Sequence, residues 1–165
     1  RLRALPQIGN TIYQEYYPLL RCILYTLHYE VRPFTVEEGR VLIDTKPHLF
    51  SPNEMQQVAD SYLPDTVKYI ETLQKAVKQY PNDTALAYNL ALALFNADRK
   101  AEALRQLENI EPTAPICNLR GVLCMELQRY ADAVPHFKQA IELGSQEAKT
   151  NLPMAEAVIN LAVAE

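Results

Sequence analysis

A run of apolar and small residues recurs in this chain at a fixed offset. Tyr88-Asn89-Leu90-Ala91-Leu92-Ala93-Leu94 is followed by Ala103-Leu104-Arg105-Gln106-Leu107, and later Gly121-Val122-Leu123-Cys124 is followed by Tyr130-Ala131-Asp132-Ala133 and Phe137. Ala91 and Gly121 are 30 residues apart, and so are Ala103 and Ala133. Two registers repeating in phase describe a pair of helices per unit, and such units bury a continuous core by stacking on their neighbours. The small residues at these positions let paired helices approach closely while larger neighbours fill the remaining space.

This spacing resembles the L-G-x-x-Y…A-x-x-x-F pattern of the tetratricopeptide repeat (TPR) family, with Ala91 in place of Gly, Leu94 in place of Tyr and Leu107 in place of Phe. The likeness covers about residues 51 to 162 and implies a mainly α fold, a TPR-like α-α superhelix of stacked antiparallel hairpins. Pro112 cuts the second helix of its repeat early, which shortens the period from the family's 34 residues. The expected units are repeats at about 51–82, 84–112 and 114–144, with a cap at 146–164. In the first, Asp65 to Tyr80 reads as a second helix with Leu73 and Ala76 inward and Pro81 at its end, whereas Ser51 to Leu63 fits the pattern poorly. Gln146 to Ala164 reads as a closing helix that Pro153 should kink or restart. Thr35 to Thr45 reads as a short helix, with Thr35 and Glu38 placed to cap it reciprocally.

Residues 1–33 follow a different period. From Arg21 to Arg32, Ile23, Tyr25, Leu27, Tyr29 and Val31 alternate with their neighbours at strand spacing, and Pro33 ends the run. Asn10 to Leu20 reads as a helix that Pro18 ends or bends. A lone strand leaves backbone groups unpaired, so this one is expected either to pair with a second copy through Tyr25, Leu27 and Tyr29 or to belong to a sheet in a larger protein. Tyr16-Tyr17-Pro18-Leu19-Leu20-Arg21, the strand, Arg32-Pro33-Phe34-Thr35-Val36-Glu37-Glu38 and Asn53-Glu54-Met55 together resemble the tail of OmpA-type envelope proteins of Gram-negative bacteria. That resemblance makes 1–33 the end of an OmpA-like domain and 34–165 its TPR-like tail. It also implies a periplasmic or outer-membrane location. The positions with which such domains hold cell-wall peptide lie upstream of the strand.

Several function classes are disfavoured. With 20 acidic and 16 basic residues and a net charge of −4, the chain repels a phosphate backbone, so nucleic acid is not an expected partner. No apolar run reaches the roughly 18–20 residues that span a bilayer. Cys22, Cys117 and Cys124 form no Cys-x-x-Cys pair, and Cys117 and Cys124, seven apart, share a helix face as core residues do. His28, His48 and His136 show no metal-ligand spacing, and His136 reads as a solvated surface residue. Four glycines provide no phosphate-cradling loop. We therefore expect no enzyme, no cofactor and no metal.

What remains is a binding surface. The first helices of TPR-like hairpins line one face, and here that face carries Tyr88, Asn89, Leu92, Phe95 and Asn96, then Asn118, Val122, Met125 and Glu126, then Thr150 and Met154. Aromatic, Met and amide side chains suit an extended peptide or helix of a protein partner. The Lys and Asn with which some TPR domains grip a terminal carboxylate are replaced by Tyr88 and Leu92. The expected function is a non-catalytic protein–protein interaction scaffold; a spacer or homodimer element working through the N-terminal strand is the alternative.

Overall fold

A computed structural model describes residues 6–20, 26–28, 32 and 34–164. Its contacts divide the chain into two compact units, Arg1–Pro33 and Phe34–Glu165.

In the first unit, helices α1 (Pro6–Thr11) and α2 (Tyr17–Leu20) are joined by a π-helical turn at Ile12–Tyr16. Tyr17 N–H donates to the carbonyl of Ile12, five residues back. Proline has no N–H to donate and its ring crowds the preceding turn, so widening the helix just before Pro18 lets the chain continue to Leu20. The rings of Tyr13 and Tyr17 meet at 5.4 Å, tilted by 53°. The sequence expectation of a strand is not met: among the described residues there is none, and Thr26–His28 carry no regular structure. Leu27 is exposed, whereas Tyr25 and Tyr29 lie outside the described residues, as does Cys22. Alternation supplies the pattern of a strand without the neighbouring backbone that makes one.

The second unit is helical throughout. Helix α3 (Val36–Leu42) begins at the expected capping box, with Glu38 N–H donating to Thr35 Oγ1 and Thr35 N–H to Glu38 Oε2. After a 3-10 turn at Pro47–Leu49 come three hairpins and a closing helix. They are α4 (Pro52–Asp60) with α5 (Thr66–Gln79), α6 (Thr84–Asn96) with α7 (Lys100–Leu107), α8 (Ala114–Glu126) with α9 (Tyr130–Glu142), and α10 (Glu147–Ala164). Ser51 and Glu54 form a second capping box, a signal present in the sequence but overlooked there, while Asp65 and Asp83 cap α5 and α6. The cap helix α10 runs through Pro153 in one piece rather than restarting.

The repeat register explains the packing. Ala91, Ala103, Leu107, Ala133 and Phe137 are all fully buried, and Gly121 is buried against the Phe137 ring. The hairpin turns repeat too. Asp98 and Gln128, also 30 apart, both adopt the left-handed conformation, with φ of 59° and 60°. Each is followed by an N–H that reaches five residues back, Arg99 to Leu94 O and Arg129 to Cys124 O, so both first helices end in the same hydrogen-bonded motif. At the leading end, the Phe34 ring packs against Phe50 at 4.6 Å, tilted by 38°, and Tyr80 donates its hydroxyl to Phe50 O.

One departure from the register is a buried charge. Position 120 corresponds to Leu90, yet holds Arg120 at 8% exposure. Helix α7 stops at Leu107, well short of the lengths of α5 and α9, and leaves carbonyls that a longer helix would satisfy internally. Arg120 reaches across from the next repeat and donates Nη2 to Leu107 O and, at 2.8 Å, to Ile110 O. The shortened repeat is closed by a side chain that belongs to its neighbour.

Candidate functional site

Helices α6 and α8, and likewise α8 and α10, lie directly against one another, whereas successive second helices make no comparable contact among the described residues. First helices thus form the inner layer. α6 contains no charged residue, and once Leu86, Ala87, Leu90, Ala91, Ala93 and Leu94 are buried, what remains is a stripe at positions 85, 88, 92 and 95–96, the spacing of one helix face.

On that stripe Leu92 is 37% exposed and Asn96 is exposed, while Tyr88 and Phe95 are half-buried against the core. On α8, Val122 and Met125 are half-buried and Glu126 is exposed; on α10, Met154 is 57% exposed and Thr150 is exposed. The amides are partly used by the fold. Asn89 Nδ2 donates to Gln56 Oε1 at 3.0 Å, tying α6 to α4, and Asn151 Nδ2 donates to Asn118 Oδ1 at 3.0 Å, tying α10 to α8. Between α6 and α8 lies a pocket of about 330 Å³, lined by Thr84, Ala85, Tyr88, Asn89, Thr113, Pro115 and Ile116. Pro115 and Ile116, together with the two threonines, were not anticipated from the sequence, since the register marked only positions deeper in the helices.

This face is nearly free of charge. At its edge Lys100 Nζ bonds Glu126 Oε2 at 2.8 Å, and that bond, with Asp98 adding to it, raises the lysine's pKa. What the surface presents is apolar side chains with a few hydrogen-bonding groups at its margins. Cys117 and Cys124 are buried, and burial pushes both thiols up and away from the reactive thiolate. His136 departs from its expected solvated position. It is half-buried beside Arg120 and Arg129, and burial first, then the Arg120 charge, lowers its pKa. His28 is exposed in an irregular segment and His48 sits on the 3-10 turn. Among the described residues no cluster of His, Cys, Asp and Glu has the arrangement of a metal site.

A Tetratricopeptide repeat family model matches residues 65–111, spanning α5 to the end of the α6–α7 hairpin. No curated protein matches the chain by sequence. Among solved structures, a crystal structure of MamA superimposes with a TM-score of 0.63 at 16% identity, covering 76% of this chain and 77% of MamA. MamA MSR-1 gives 0.57 at 17% identity over 76% and 78% of the two chains, and MamA AMB-1 gives 0.58 at 16% over 76% and 74%. At such identities the likeness is one of fold. The helical unit is accordingly a TPR-like repeat domain, with the family's sequence pattern matched at residues 65–111.

Proposed function

We propose that this chain is a non-catalytic scaffold that docks a protein partner on the inner face of its first helices. The observation that carries the reading is the uncharged stripe of Tyr88, Leu92 and Phe95, flanked by the pocket at Pro115 and continued by Val122, Met125 and Met154. Apolar side chains left on the inner layer of a stacked-hairpin domain provide anchoring sites for an extended or helical segment, and Asn96 and Thr113 offer hydrogen bonds at its margins. Placement in a bacterial envelope, as the tail of an OmpA-type protein, is the further proposal that the resemblance of residues 16–55 supports.

The test is photocrosslinking in the native host, with the photoreactive residue at Leu92 or at Lys138, which is exposed on the second helix α9. A discrete protein adduct from Leu92 and none from Lys138 is the expected result. Adducts at both positions alike, or at Lys138 alone, would remove the inner face as the docking surface. Fractionation of the same cells tests the location, and recovery in the cytoplasm would overturn the envelope proposal.

A further inference from the structure

One turn along α8 from Ile116, a second and smaller cavity lies where α7, α8 and α9 meet. Its volume is about 160 Å³, and it is lined by Leu104, Glu108, Arg120, Cys124, Arg129 and His136. Two guanidinium groups and an imidazole therefore converge on a space several times a water's share of liquid volume, about 30 Å³.

Arg120 is the informative member. More than nine-tenths of it is buried, its Nη2 is engaged by the carbonyls of Leu107 and Ile110, and its Nε has no hydrogen-bond partner. Among the described residues no carboxylate pairs with it. A buried guanidinium whose charge is met only by carbonyls is an arrangement that an anion completes. Arg129 is placed to assist. Asp132 engages it through Nε at 2.8 Å, which leaves its terminal amino groups for a ligand, and its exposed side chain gives the cavity an opening to solvent. Glu108, exposed on the rim, is the lining group that opposes an anion and keeps the affinity modest.

We propose that this cavity binds a small tetrahedral oxyanion of the size of inorganic phosphate, held by Arg120 and Arg129 with His136 as a third donor. The charged and titratable groups around His136 are Arg120, Arg129 and Asp132, with Cys124 and Glu108 lining the same space. Burial and the two arginines disfavour the imidazolium, with Asp132 opposing them. A bound oxyanion offsets them, so binding draws a proton onto His136 and, for an anion of fixed charge, tightens as the pH falls.

The experiment follows the His136 ring signals by NMR during titration with inorganic phosphate, the ionic strength held constant with sodium chloride. A saturable shift is expected, with a dissociation constant on the order of 1 mM. His136 should titrate at higher pH in saturating phosphate, and Arg129→Gln, a change at an exposed side chain, should weaken binding about tenfold. Acetate, planar and smaller, should bind more weakly than phosphate. A shift that grows linearly without saturating, one that chloride reproduces, or an Arg129→Gln protein with unchanged affinity would each overturn the assignment.

Discussion

Gly121→Ala adds one methyl group where α8 crosses α9. A Cβ there would lie 2.4, 2.5 and 2.8 Å from three carbons of the Phe137 ring. Phe137 is fully buried, so the ring has no solvent to swing into. Overpacking of this kind costs about 1–3 kcal/mol. Contacts this short against a ring with nowhere to move fall in the upper part of that range, about 2–3 kcal/mol, and alanine in place of glycine inside a helix recovers about 1 kcal/mol, leaving a net loss of about 1–2 kcal/mol. For a chain of this size that lowers Tm by about 2–8 °C. The preceding repeat shows how the conflict is resolved, because Ala91 and Leu107 hold the positions equivalent to Gly121 and Phe137. Phe137→Leu alone should cost about 1–2 kcal/mol through the space it opens. The double variant rebuilds the Ala91/Leu107 pair, so it should fall within about 1 kcal/mol of the wild type rather than at the sum of the two losses. Urea unfolding followed by circular dichroism measures all four proteins. The reasoning fails if Gly121→Ala is as stable as the wild type or more so, as at a roomy helix position, or if the two single losses simply add.

The hairpin turns predict gains instead. Gln128→Gly relieves a left-handed side-chain conformation and should stabilise by about 0.5–1 kcal/mol after the added freedom of the unfolded glycine is counted, readable as a rise in Tm. Asp98→Gly should gain less, because aspartate tolerates that conformation better and Asp98 Oδ1 also lies 3.3 Å from Lys100 Nζ. Arg120→Leu restores the residue type found at position 90, yet should destabilise by about 2 kcal/mol in the same urea assay, since the carbonyls of Leu107 and Ile110 lose their donor.

The helical repeats were legible because their determinants are local and periodic. Ala91, Gly121, Ala103 and Ala133 announce close helix crossings by size alone, and Thr35 with Glu38 announces a helix start by spacing alone. The alternation from Ile23 to Val31 satisfied the same kind of rule, yet Thr26–His28 at its centre are irregular, because a strand is defined by a partner that lies outside its own residues. His136 was misplaced for a related reason. Its outward position in the register presumes a second helix of ordinary length alongside, whereas the early end of α7 admits Arg120 and opens a cavity there. The signal for Arg120 was available as a charge 30 residues after Leu90, but nothing in the spacing says which carbonyls it meets. The inner-face stripe was readable as a list of positions, while the pocket at Pro115 depended on how α6 and α8 sit side by side.

The reach of Arg120 into the preceding repeat bears on how the array comes apart. In a chain of stacked units, each unit has an intrinsic stability and a coupling to its neighbour, and an array with weak coupling frays from its ends. Here the hydrogen bonds that finish the second hairpin are delivered by the third, so losing the third exposes unsatisfied groups in the second as well as apolar surface. Removing residues 114–144 as one repeat should therefore unravel more than one repeat's worth of structure, and the two hairpins should behave as a single cooperative block.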